Sequence, residues 1–157
     1  MRIISDVGAD NLNSPQSVLV KDPGGSFDGR ILLMYIRFPF KCHSNCVVPG
    51  YRGQVQTVWL TYSDDDGCTW SKPQDITPQT KKLTDMRTAF TGIGVGIQLR
   101  RGPHRDRIIM PFAHRWESKL PNVRAIYSDD FGQTWQGGKY PGYHSAVPWQ
   151  EKCRWSS

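Results

Sequence analysis

A chain of 157 residues, 38% of them hydrophobic, is long enough to bury one core, and its net charge of +6 with a pI near 9.3 favours anionic partners. It carries no Lys/Arg-rich block or RNA-binding signature, so nucleic acid is not expected among those partners. No apolar run approaches the length of a membrane-spanning helix and Met1–Asp6 lacks the apolar centre of a signal peptide, so no membrane span is expected and the compartment stays open.

In chain order, Arg2–Ser5 reads as the closing strand of a preceding unit, 10–15 as loop chemistry, and Ser17–Val20 as a short strand. Asp22-Pro23-Gly24-Gly25 makes a turn before Arg30–Arg37, an apolar strand expected to be buried on both faces. Phe38 to Gln54 is a long connection holding Pro39, Pro49, Gly50 and Gly53. Within it, Cys42-His43-x-x-Cys46 has too few ligands for zinc, and a free thiol pair or a local disulfide is the expectation. With Cys68 and Cys153 the cysteines are too few and too unevenly placed for a disulfide framework, and neither metal nor cofactor is expected. Val55–Tyr62 alternates as a strand and feeds Ser63-Asp64-Asp65-Asp66-Gly67-Cys68-Thr69-Trp70. After an inter-unit segment, Pro78 to Gly94, the pattern returns. Arg107-Ile108-Ile109-Met110 matches Arg30-Ile31-Leu32-Leu33, and Val123–Tyr127 feeds Ser128-Asp129-Asp130-Phe131-Gly132-Gln133-Thr134-Trp135.

Both boxes read Ser-x-Asp-x-Gly-x-Thr-Trp, and each residue type has a task. Asp65 and Asp130 accept bonds from the N–H groups of their own turn, Gly67 and Gly132 take the positive φ that closes it, and Trp70 and Trp135 lock the returning strand into an apolar layer. With Ser63, Thr69, Ser128 and Thr134 these are assigned as structural residues. The boxes repeat at an offset of 65 residues and the second strands at 77, so the difference lies between the second and third strands. Each copy is therefore strand, strand, connection, strand, box, strand: one propeller blade, with no convincing amphipathic helix in the chain.

The two boxes resemble the Asp-box (BNR) repeats of sialidases, or neuraminidases. Gly92–Leu99 is similar to that family's Gly-Pro-Gly-x-Gly-Ile-Gln-Leu segment, Ile108–His114 to the strand after it, and Tyr143–Pro148 to the approach to its catalytic glutamate; about residues 12 to 148 match. The resemblance implies an all-β, six-bladed β-propeller, of which this chain would supply about two blades, since each takes roughly 65 to 77 residues. Blade one is placed at about 12–77, blade two at about 92–138, and 149–157 is a divergent tail.

Antiparallel strands alternate in direction, which puts the boxes at one end of each sheet and the strand-two-to-three and inter-blade connections at the other, where ligands are expected. The resemblance carries the lining of the sialic acid pocket onto Phe112 and His114, and Arg37, Arg52, Arg87 and Arg115 are the arginines expected at that end. The implied reaction is release of terminal α-linked sialic acid with retention, by an arginine triad, an aspartic acid and a glutamate-activated tyrosine, the exception to the two-carboxylate scheme. Arg2 lacks the proline of the family's Arg-Ile-Pro motif and is rejected, and Tyr143 and His144 are read as strand residues. Past Pro148 the family's glutamate pattern is not continued, and Glu151 is the only carboxylate near that position. The chain is therefore read as an exo-α-sialidase fragment, inactive alone, with sialylated glycans as partners. The alternative is a non-catalytic Asp-box propeller that binds carbohydrate or acts as scaffold. Two blades leave open strand edges, so self-association of the isolated chain is expected.

Overall fold

The computed structural model describes residues 10–51, 53–81, 86–92, 94–116 and 122–138. Its architecture is all-β and falls into two sheets. In the first, β1 (Asn11–Leu19), β2 (Ile31–Phe38), β3 (Thr57–Ser63) and β4 (Gln74–Asp75) form an antiparallel meander. After α1 (Thr77–Thr80), β5 (Met86–Thr91) opens the second sheet. Next, β6 (Gly94–Val95) returns to pair in parallel with β1, and β7 (Ile97–Gln98) pairs with β8 (Ile108–Trp116). The second meander then continues through β9 (Asn122–Ser128) and β10 (Gln136–Gly137). These are two blades of a propeller side by side, stitched by a strand that crosses from one to the other.

Two expectations are corrected. The stretch 10–15 is not a loop: β1 begins at Asn11 and absorbs Ser14 and Pro15 in a bulge, where Ser14 takes φ 50 and the hydroxyl of Thr91 donates to its carbonyl. The inter-unit segment Pro78–Gly94 likewise contains most of α1 and all of β5, in which Met86, Thr88, Ala89 and Thr91 are buried. Polar residues among them conceal a strand whose buried face lies against the neighbouring sheet. The long strand β2 is buried through most of its length, as its apolar run requires.

One apolar core serves both sheets. Val18, Leu32, Met34, Ile36 and Leu60 from the first meet Met86, Met110, Phe112, Ile126 and Trp135 from the second. Gly132 sits at the join, with φ 92 and an added Cβ only 2.4 Å from Leu32 of the other sheet, so both backbone and space demand glycine. Beside it, Phe131 stacks on Phe27 at 5.4 Å. Trp135 is buried in this joint, whereas Trp70, its counterpart, is only half-buried on the first sheet.

The boxes repeat atom for atom. Ser63 Oγ donates to Asp65 Oδ1 at 2.8 Å and accepts from Gly67 N at 2.9 Å, while Thr69 gives its N–H and hydroxyl to the two Asp65 oxygens at 2.7 and 2.6 Å. Ser128, Gly132 and Thr134 surround Asp130 in the same way, and the indole N–H of each tryptophan donates to the box glycine's carbonyl at 3.1 Å. Hydrogen bonds from Thr69 hold the Asp65 carboxyl below its usual range. For Asp130 burial works in the opposite direction, and the bonds from Thr134 and Ser128 outweigh it. A further pairing, which the sequence reading did not foresee, closes each box on its own sheet. Arg30 grips Asp64 at 2.6 and 2.8 Å with its guanidinium 3.9 Å from the Tyr62 ring, and Arg107 grips Asp129 at 2.7 and 2.8 Å over Tyr127 at 4.1 Å.

Replacing Asp130 by alanine removes the acceptor for three donors of a half-buried turn, and we expect a loss of about 1–3 kcal/mol in chemical denaturation. Unchanged stability in that variant would show that the turn closes without its carboxylate.

Candidate functional site at the sheet end opposite the boxes

The registers fix the two ends. Ile31 pairs with Ser63 and Ile108 with Ser128 at the box end, while Asn11 pairs with Phe38, Arg37 with Thr57, and Met86 with Trp116 at the other. The direction argument from sequence is thus correct: the connection from β2 to β3 and the link between the sheets converge away from the boxes.

This end is tied together by polar groups. Gln56, fully buried, accepts from Ala89 N of β5 at 2.7 Å and donates to Thr57 O at 2.9 Å. Lys81 Nζ donates to Gln56 O at 3.0 Å, and burial pushes this ammonium down to about 8. Tyr51 Oη donates to Lys81 O at 2.5 Å, and Arg124 Nη2 of β9 donates to Thr80 O at 2.5 Å. Gln79 Oε1 takes the N–H of Trp135 at 2.7 Å, so the short helix joins its own sheet to the next. Asp75 Oδ1, one residue before its N-cap Ile76, accepts from Thr77 N at 2.9 Å.

The sequence-derived site residues are distributed unevenly. Phe112 is fully buried in the shared core, so its ring supports the site from beneath and is not presented to a ligand. His114 is also buried; burial, with the Arg124 charge beside it, pushes its imidazole down to about 4, so it is neutral at pH 7. Arg87 is not offered to a carboxylate: Nε donates to Val47 O at 2.6 Å and Nη2 to Asn45 O at 3.0 Å, clamping the β2–β3 connection. Arg115 is exposed at the end of β8. Arg37 pairs with Asp10 at 2.5 Å. Arg52, Glu151, Tyr143 and His144 lie outside the described residues. Cys42 and Cys46 form a disulfide, one of the two foreseen outcomes, and Cys68 is a free thiol. Among the described residues no cluster of potential metal ligands occurs, and no helix is long and apolar enough to cross a membrane.

Arg37, Lys41, Arg87 and Arg115, with buried Lys81 and Arg124, outnumber Asp10 and Asp75 at this end, while at the other Lys21, Arg30, Arg100, Arg101, Arg105 and Arg107 stand among the box carboxylates, Asp22, Asp28 and Asp106. A surface that concentrates cations in this way attracts anions.

Comparison with known proteins agrees with this geometry. The chain is 32% identical to sialidase-3 of Mus musculus over 123 residues, covering 71% of this chain and 28% of that protein. It is 39% identical over 83 residues to the sialidase of Micromonospora viridifaciens, covering 51% of this chain and 12% of that protein. Among solved structures, a Hadza microbial sialidase superposes with a TM-score of 0.72 at 26% identity, over 85% of this chain and 25% of that one. The intramolecular trans-sialidase of Ruminococcus gnavus shares the fold with a TM-score of 0.69 at 15% identity, over 85% of this chain and 45% of the other. The chain thus spans less than a third of the length of these curated relatives. No family-wide sequence model matches it.

Burial of neutral His114 makes stability depend on pH. Its folded value lies below the unfolded one, so between about 6.5 and 4 the unfolded chain binds the extra proton, and stability present above 6.5 is lost progressively as pH falls to 4. His114→Gln should flatten the melting temperature over that window relative to the parent. Parallel pH profiles would show that His114 is not buried as described.

Proposed function

We propose, for a chain that belongs to the sialidase family, that it forms part of the pocket wall of an exo-α-sialidase acting on terminal α-linked sialic acid of glycoconjugates with retention. The observation that carries this reading is the cationic end opposite the boxes, which suits a substrate whose defining group is a carboxylate. In this reading Arg115 and Arg52 contact the substrate, and buried, neutral His114 supports that end of the sheet from within. Phe112 and Arg87 position these groups, one from beneath and the other through the connection it clamps. The blades are placed at about 12–77 and 92–138, the second sheet also taking in β5 (Met86–Thr91), with a divergent tail at 149–157, and Glu151 is retained only as a candidate carboxylate.

The reading implies that the 157-residue chain alone does not turn over substrate. The test is the intact mass of the product made by its natural source, together with an assay on a fluorogenic α-sialoside. A product as long as the relatives that releases the α-anomer first supports it, and Arg115→Ala in that product should raise KM about tenfold. A natural product of this length that binds sialosides without hydrolysing them would replace it by the binding-only reading. That alternative is favoured by the burial of Phe112 and His114, which are held in packing.

Self-association belongs to the same reading. Val95 is 70% exposed and Ile97 55% on the crossing segment, with Leu19 and Val123 exposed as well. Apolar groups on open blade flanks favour association. Gel filtration should show oligomers whose share grows with concentration. A sharp monomer peak with cooperative melting would overturn this.

A further inference from the structure

A rim on the first sheet is not used by the reading above. Asp10, just before β1, gathers it: Oδ2 accepts from Arg37 Nε at 2.5 Å and Oδ1 from Phe40 N at 3.0 Å. One carboxylate thereby sets an arginine and an aromatic residue side by side. Arg37 lies 5.6 Å over the Trp59 ring with a third of its side chain exposed, and the bond to Asp10 uses only Nε. Phe40 is 56% exposed, and Lys41 Nζ stands 5.1 Å from its ring centroid.

The rim is built on a braced backbone. Lys41 holds φ 55, an uncommon conformation for a residue with a side chain, and its surroundings enforce it. Cys42 N donates to Pro39 O at 2.9 Å, the Cys42–Cys46 disulfide closes the turn, His43 stacks on Phe38 at 4.8 Å, and Arg87 grips the carbonyls of Asn45 and Val47. An exposed phenyl ring on a fixed turn offers an apolar face to the C–H side of a pyranose. Beside it Arg37 and Lys41, against the single charge of Asp10, leave a positive balance and donors for a carboxylate.

We propose that Arg37, Phe40 and Lys41 bind a second anionic sugar adjoining the one released, so that glycans bearing two linked sialic acids are preferred over one sialic acid on a neutral sugar. This rests on the sialidase reading and names its substrate class. A neutral neighbour would meet Phe40 but give no carboxylate to Lys41 or to the Arg37 nitrogens that Asp10 does not engage.

The test is titration of the chain with α2,8-linked trisialic acid and with 3′-sialyllactose. About fivefold to tenfold tighter binding of the former is expected, shrinking between 0.1 and 0.5 M salt. Phe40→Ala and Lys41→Ala, both on the exposed rim, should each reduce the preference towards unity with melting temperature retained; Arg37→Met, which also releases Asp10, is a third variant. Equal affinity for the two glycans, binding of neither, or a preference that survives in both exposed variants overturns the proposal. Turnover of a fluorogenic sialoside by the natural-source product reads the sialidase reading separately. A product that discriminates the glycans but hydrolyses neither keeps the rim and loses the enzyme.

Discussion

The structure depends on a carboxylate that closes a hairpin. In each box one aspartate satisfies the N–H and hydroxyl of the threonine four residues on, while a serine hydroxyl donates to the carboxylate and accepts from the glycine N–H. Donors in a sharp turn would otherwise be left to water or go unmet. With the turn saturated from within, the strands on either side are fixed in register, and the tryptophan is free to cover apolar surface. The Arg30–Asp64 and Arg107–Asp129 pairs extend this by fastening the turn to the beginning of β2 and of β8. Both pairs are partly exposed, so their contribution lies in geometry more than in free energy.

Closing one end of every blade in this way assigns the chemistry to the other. The acidic residues of the boxes remain where hydrogen bonds hold their charges, and the opposite end gathers cations. That end carries a cost of its own, because Lys81 is buried there and Arg124 is buried beside His114. Backbone carbonyls of Gln56 and Thr80 compensate the first two, and His114 stays neutral. Positive potential beneath a surface is costly to the empty fold and is relieved when an anion approaches. The buried charges thus weigh on the stability of the fold.

The repeated elements were legible in the sequence because their causes are local. Ser63–Trp70 contains its own acceptors and donors, and the apolar run Arg30–Arg37 reports burial on both faces without reference to any neighbour. The bulge at Ser14–Pro15 and the strand Met86–Thr91 were not legible, since both owe their form to the adjoining sheet. Thr91 holds the bulge, and Ala89 donates its N–H to Gln56 Oε1, 33 residues away. The site suffered most from this. Arginine at position 87 reads as a free cation until the carbonyls of Asn45 and Val47 are placed beneath it, and Phe112 reads as a pocket wall until the first sheet covers it. Charge and residue type marked which end of the sheet mattered, but the occupation of each side chain is decided by contacts between blades.

That dependence between blades shapes how the site can work. Arg87 belongs to the second sheet yet fixes the connection that carries Phe40 and Lys41 on the first, while Arg124 and Trp135 reach back to the helix following β4. The ends of neighbouring blades therefore form one polar network laid over one apolar core. A substitution in either blade's end is felt in the other, so residues here couple rather than add. A pocket assembled across such a joint gains rigidity from the core below it, and its specificity resides in the connections the joint holds still.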